Sequence, residues 1–272
     1  MTQAQASQYT AKDIQVLEGL EAVRIRPGMY IGSTDQRGLH HLIYEILDNA
    51  VDEAMAGFCR SIHVKISVDG IVTILDDGRG IPVDMHPEEG KSALEVVLCT
   101  LHAGGKFDNN SYSASAGLHG VGVSAVNALS EYVEAAIWRN GAEHFQRYER
   151  GKPTCEVENR GEATKTGTRI VFKPDPEIFD TIEFHYETIS KRLREQAFLN
   201  KGVHIALSDE KSGRSEDFKY DGGIQEFVEL LNRNKGKLHQ DIIYFDRQVG
   251  SVFVEVAMQW NDRYEAIEYS FA

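Results

Sequence analysis

The fold class that this 272-residue sequence predicts is α+β: a two-layer sandwich with several helices on one face of a mixed, mostly antiparallel sheet. Three observations predict it. Residues 39–54 carry apolar side chains at Leu39, Leu42, Ile43, Ile46, Leu47, Ala50, Val51 and Ala54, the spacing of a core-facing helix. Residues 62–75 alternate apolar and polar positions on both sides of Asp69-Gly70, the pattern of a β-hairpin with a two-residue turn. Further short alternating runs follow one another in pairs instead of alternating strictly with helices, which points away from a parallel doubly wound sheet.

Taken in order, residues 1–20 begin as a polar arm, and residues 14–24 read as a short helix closed by Arg26-Pro27-Gly28. The helix over 39–54 and the hairpin come next. The second hairpin strand stops at Asp76-Asp77-Gly78-Arg79-Gly80-Ile81-Pro82, too rich in glycine to continue and ended by a proline. Residues 92–102 read as a helix. The polar, glycine-rich stretch 103–122 is long enough to serve as a mobile lid. A helix over 121–129 precedes strands at 131–139 and 142–150, joined at Asn140-Gly141. Strands are also predicted at 154–158, 168–173, 203–207 and 218–220, the last two around Ser212-Gly213, with a helix at 186–198. Asp221-Gly222-Gly223 marks a boundary, beyond which a helix (224–232) and a strand (251–260) begin afresh.

Composition narrows the function classes. The chain is 42% apolar and 26% charged, with 24 Gly and 6 Pro, which fits a globular chain and not a disordered, collagen-like or coiled-coil one. No stretch reaches the roughly 20 uncharged apolar residues of a membrane helix, and the opening residues lack the apolar core of a secretory signal, so a cytoplasmic location and no membrane partner are expected. Cys59, Cys99 and Cys155 are scattered and form neither a disulfide framework nor paired zinc spacing. A net charge of −13 disfavours an extended phosphate-neutralising surface, though a local basic patch or another part of a longer protein could still touch nucleic acid.

Chemistry-bearing residues fall into four groups. On the helix over 39–54, His41, Glu45, Asn49 and Glu53 recur every fourth residue along one flank of the apolar arc, as a solvated face or a row of functional groups would. Asp76-Asp77-Gly78-Arg79-Gly80 sets carboxylates beside glycines where a strand ends, either an acidic turn or a backbone shaped for close ligand approach with an acceptor for an amino group. Gly117-Leu118-His119-Gly120-Val121-Gly122 leads into a helix, so its amides and the helix N-terminus could receive phosphate. Its spacing is neither the dinucleotide fingerprint nor a P-loop. Lys106 could meet a phosphate or extend into water, and Thr168, after Lys165-Thr166-Gly167, could bond a ligand or satisfy a turn.

In this order the four groups resemble the ATP-binding motifs of the GHKL family, which joins DNA gyrase B, Hsp90, MutL and histidine kinases. Arg26-Pro27-Gly28-Met29-Tyr30-Ile31-Gly32, Leu39-His40-His41, Leu101-His102-Ala103-Gly104-Gly105-Lys106-Phe107, and Gly117 to Gly122 followed by Val126-Asn127-Ala128-Leu129-Ser130, are similar to the ATPase subunits of type II topoisomerases, of the gyrase and topoisomerase IV types. The resemblance runs from about residue 9 to the end.

It implies a Bergerat-type sandwich over 21–220, an N-terminal arm over 1–20, and the start of a truncated transducer domain over 221–272. It implies ATP and Mg²⁺ as cofactors. Glu45 would be the general base and His41 would hold or polarise the attacking water. Asn49 would give an oxygen to Mg²⁺. Asp76 would accept from the adenine amino group, with Thr168 beside it. Gly117, Leu118, His119, Gly120, Val121 and Gly122 would cradle the phosphates and Lys106 would neutralise them, while Gly80, Ile81, Pro82 and Tyr112 complete the nucleotide contacts. Glu53 and Arg79 would pair across the mouth of the site and stack near adenine, with Arg139 on the same rim.

The implied partners are ATP, a second copy on ATP binding, gyrase A in a heterotetramer, DNA through the full complex, and aminocoumarin-type inhibitors in the adenine pocket. Two departures lie in the lid. Ser113 follows Tyr112 where the family usually has lysine, removing one phosphate or interface contact, and Ala116 replaces a glycine and resists positive φ. The rival reading is an ATP-sensing module that does no work on DNA. The run Arg26 to Tyr30 and the lack of a phospho-acceptor histidine helix favour the topoisomerase class.

Overall fold

The structure, a computed structural model, describes residues 19–103, 121–250 and 252–271. Helices α1 (Glu21–Ile25) and α2 (Gly28–Ile31) come first. Helix α1 ends at Ile25, so Arg26-Pro27-Gly28 closes the first helix as predicted, and Pro27, with φ of −58°, then stands directly ahead of α2. Residues 1–18, which hold nearly all of the arm and the first part of the helix expected at 14–24, lie outside the described residues, as does the lid from 104 to 120.

Helix α3 (Gln36–Met55) starts at Asp35, whose Oδ1 accepts from the Arg37 and Gly38 amides at 2.9 and 3.3 Å. Its apolar stripe is buried from Leu39 to Val51. Strands β1 (Ser61–Ile66) and β2 (Val72–Asp76) pair with Ile66 opposite Val72, leaving a five-residue connection where two residues were predicted. Ser67 closes it: the Gly70 amide donates to its carbonyl at 3.1 Å and the Ile71 amide to its hydroxyl at 3.0 Å.

Helix α4 (Ala93–Cys99) is capped by Ser92, and α5 (Gly122–Ala128) follows the lid. Strands β3 (Ser130–Arg139) and β4 (Ala142–Glu149) turn through Asn140 and Gly141, both at positive φ (54° and 80°), as a two-residue hairpin of this hand requires.

Beyond it, β5 (Lys152–Pro153) and β6 (Glu158–Glu162) flank the segment predicted as a strand at 154–158. The chain continues through β7 (Gly167–Pro174), α6 (Tyr186–Leu199), β8 (His204–Asp209) and β9 (Arg214–Phe218); the last ends where a strand was expected to begin. Then come α7 (Ile224–Asn232), β10 (Ile243–Val249), for which the sequence pattern gives no strand, and β11 (Val252–Met258).

The main sheet runs β5-β4-β3-β7-β2-β1-β8-β9, with β6 beside β4. Its pairings are antiparallel except β1 with β8. Inward residues of these strands and the apolar stripes of α3, α5 and α6 form one core, which includes Leu42, Leu47, Ile62, Val64, Ile74, Phe172, Ile189 and Leu193. At its edge the buried Asp175 carboxylate receives Arg24 at 2.8 Å and Arg150 at 3.0 Å, tying α1 to the end of β7. Helix α7 leans on this body through Phe227, stacked on Phe198 at 4.8 Å between ring centres, while β10 and β11 form a separate hairpin. Among the described residues no helix is long and apolar enough to cross a membrane.

Candidate functional site

Helix α3 packs against β2 and the start of α5, and its polar stripe is the spine of the site. Glu45 and Glu53 are two turns apart, about 12 Å along the axis. At one end Glu53 meets the loop after β2: its Oε2 accepts from the Arg79 backbone amide and Nε, each at 3.0 Å, and its Oε1 from Arg79 Nη2 at 2.8 Å. At the other end the Glu45 carboxylate packs directly against Gly122, the first residue of α5, where a Cβ would overlap its Oε2 and lie 3.1 Å from its carboxyl carbon. Asn49 stands between them, half-buried on the same flank.

The floor beneath Glu53 is carved by glycines. Asp76 ends β2 opposite Thr168 of β7, with Ile137 of β3 on Thr168's other side. Asp76 is only 9% exposed, and its Oδ1 accepts from the Gly78 amide at 2.9 Å and the Thr168 amide at 3.3 Å. Burial pushes its pKa up to about 7 against those two bonds, and the charges of Glu53 and Asp77 push the same way. A Cβ on residue 78 would sit 2.9 Å from Asp76 Oδ1 and 3.0 Å from Glu53 Cβ. At Gly80, φ is +79° and a Cβ would sit 2.9 Å from the Trp138 carbonyl and 3.1 Å from that of Gly167. Backbone approach this close excludes any larger residue.

Asp77, one residue along, faces the other way. Its Oδ1 accepts from the Arg60 and Ser61 amides at 2.7 and 2.9 Å, and these bonds hold its pKa down despite partial burial. The adjacent carboxylates thus divide the work: Asp76 faces the pocket floor and Asp77 fastens the strand ends. Arg139 reaches from the end of β3 to donate to the Gly80 carbonyl at 2.8 Å and the Arg79 carbonyl at 3.4 Å, so it braces the loop from behind. The Arg79 guanidinium lies 4.0 Å from the ring centre of Phe58, so one of its faces is covered by that ring. Sequence reasoning does not find Phe58, because nothing in the sequence distinguishes it from any other exposed aromatic residue. Ile81 packs partly against the core and Pro82 is exposed.

His41 is half-buried a turn before Glu45, its ring edge-on to Tyr44 at 5.7 Å. Burial, then the charges of Arg192 and Arg37, lower its pKa, so the neutral imidazole is favoured. Glu45, Asn49, Glu53, Asp76, Arg79, Gly80, Thr168, Val121 and Gly122 therefore share one region bounded by α3, the loop after β2, the start of β7 and the start of α5. Lys106, Tyr112, Gly117, Leu118, His119 and Gly120, with Ser113 and Ala116, lie outside the described residues.

Comparison with known proteins agrees with this geometry. Residues 34–178 match the family described as "Histidine kinase-, DNA gyrase B-, and HSP90-like ATPase". The DNA gyrase B protein of Synechocystis is 56% identical over 93% of this chain and 24% of its own length. The Thermotoga maritima gyrase B is 55% identical over 97% of the chain and 43% of its own length, and that of Haloferax volcanii 54% over 99% and 43%. The chain thus spans less than half the length of these relatives. The crystal structure of the 43K ATPase domain of Thermus thermophilus gyrase B in complex with an aminocoumarin superposes with a TM-score of 0.80 at 43% identity, covering 91% of this chain and 64% of that one. With the matched region taking in α3, the loop after β2, α5 and β7, the chain belongs to the histidine kinase-, DNA gyrase B- and HSP90-like ATPase family.

Proposed function

We propose that this chain is the ATP-binding and hydrolysing module of a type II DNA topoisomerase of the gyrase B kind. The observation that carries the proposal is the buried Asp76 carboxylate, set beside Thr168 under a loop that Gly78 and Gly80 let pack closely against Glu53 and the strand ends. An ionised carboxylate accepts hydrogen bonds and donates none, so it receives the exocyclic amino group of adenine and opposes the carbonyl oxygen that guanine presents there. Glu45 is the general base for the attacking water, and neutral His41 one turn away holds that water. The backbone at the start of α5, with the lid before it, takes the phosphates.

Asn49, half-buried on the same flank as Glu45, would supply a neutral carbonyl oxygen to Mg²⁺. When bound, the ion would neutralise negative charge on the phosphates. The residues of this chain orient the nucleotide, place the water and accept its proton. In the whole protein, ATP binding would close two copies as a gate, work on DNA would be done with gyrase A in a heterotetramer, and aminocoumarins would compete for the adenine floor. Residues 221–272 would begin the transducer domain.

The test is Glu45→Gln with calorimetry and phosphate release on the same sample. ATP affinity should stay within a few-fold while hydrolysis falls by roughly 10²-fold or more. Retained hydrolysis would move the base elsewhere, and equal affinity for ATP and GTP would remove the adenine assignment.

A further inference from the structure

On the sheet face opposite the helices, the start of β1, the start of β8 and the end of β9 bring together side chains that the nucleotide site does not use. Ser61 and His63 project outward from β1, one pleat apart, and Ser61 is directly opposite His204 of the parallel strand β8. The Ser61 hydroxyl lies 2.9 Å from His63 Nε2 and 3.4 Å from His204 Nδ1, so two imidazole nitrogens converge on one point. The rings stand nearly perpendicular, at 82°, with centres 5.7 Å apart. The other nitrogen of His204, Nε2, is 2.6 Å from Asp217 Oδ1 on β9.

The Asp217 contact sets the tautomer of His204. With Nε2–H donating to Asp217, His204 turns the lone pair of Nδ1 toward Ser61, and His63 offers Nε2 to the same spot. Two imidazoles sharing one ion at about 2.0 Å have ring centres roughly 5–6 Å apart, the separation found here. A carboxylate on the far nitrogen of a ligating histidine fixes its orientation and raises its basicity.

We propose that His63 Nε2 and His204 Nδ1 form a binding site for a borderline divalent transition-metal ion, Zn²⁺ or Cu²⁺, with the Ser61 oxygen and water completing its shell and Asp217 as a positioning residue. Among the described residues no three His, Cys, Asp or Glu side chains form a ligand set, so this is an open two-imidazole site. Imidazole ligation selects the zinc–copper group over Mg²⁺ and Ca²⁺, which take oxygen donors. Two nearby lysines have acidic neighbours of their own: Lys65 is paired with Glu210 at 2.6 Å, and Lys219 lies 3.9 Å from Asp221. An ion here would pin β1 to β8 at the sheet's parallel junction.

The test is titration of the nucleotide-free chain with Zn²⁺ by calorimetry, and with Cu²⁺ by electron paramagnetic resonance. One ion should bind with a two-nitrogen imidazole signature. His63→Ala and His204→Ala should each weaken binding at least tenfold, and Asp217→Asn about tenfold. Zn²⁺ should raise the melting temperature of the parent chain but not of the double histidine variant, each compared with its own metal-free melt. No saturable binding, or undiminished binding in the double variant, would overturn the site.

Discussion

Before any ligand arrives, the Asp76 carboxyl sits among the backbones of β2 and β7, with most of its surface withdrawn from water and Glu53 and Asp77 nearby. Its folded pKa of about 7 stands well above the ordinary 3.8. A raised acid pKa means that the folded state holds its proton longer than the unfolded chain. The contribution to stability is therefore complete below pH 3.8 and is lost as pH rises to about 7, each tenfold difference in proton affinity being worth up to about 1.4 kcal/mol. Asp76→Asn keeps an oxygen for the Gly78 and Thr168 amides but cannot ionise. The variant is expected to melt above the parent at pH 8.5, with the gap closing toward pH 5, while its ATP affinity drops by 10-fold or more. Scanning calorimetry at both pH values checks the first part and ATP titration the second. A variant less stable than the parent at pH 8.5 would show that the buried charge is not the costly feature.

At the scale of elements, the loop after β2 is held by backbone geometry. Gly80 has positive φ, and the Trp138 and Gly167 carbonyls close in where a side chain would begin. Gly80→Ala should cost about 2 kcal/mol or more, because the αL penalty adds to contacts with rigid backbone. A urea midpoint unchanged within about 0.5 kcal/mol would mean that the loop relaxes freely. Glycine spacing made this loop legible in sequence, as the period of 3.6 made α3 legible. Both signals arise where a buried partner dictates residue type. Elements without such a partner gave no signal. Strand β6 is exposed along its whole length and holds its place by backbone pairing to β4, so its Glu, Asn, Arg and Gly residues show no alternation. Strand β10 is exposed at six of its seven positions, and without a buried face it has no period to read. Within the site, the Asp76–Thr168 adjacency was readable only through family resemblance, since the two are 92 residues apart and meet through strand register alone.

Across the whole molecule, burial is divided unequally along the chain. The main core draws on residues from Leu20 to Phe218, whereas beyond Gly223 the only buried side chain among the described residues is Asn232. Val249, Val252 and Phe253 are each at least 60% exposed on the β10–β11 hairpin. What fastens this segment is local: Phe227 on Phe198, and Lys201 with Glu255 at 2.6 Å and Tyr244 at 3.0 Å, the ion pair being partly exposed and therefore weak. Opening free energy follows buried apolar contact, so the amides of β10 and β11 should exchange with solvent through a local opening far below the global unfolding energy, while those of β1, β2 and β7 exchange only through global unfolding. ATP, which on the proposed site contacts α3, β2, β7 and α5, stabilises the folded state by mass action and should slow exchange in the central strands while leaving the β10–β11 hairpin unchanged. Hydrogen exchange read by mass spectrometry, with and without a non-hydrolysable ATP analogue, separates these cases. Equal protection of hairpin and central strands, or equal slowing of both by nucleotide, would mean that residues 224–271 share one cooperative unit with the body and that the boundary at 221 is not a physical one.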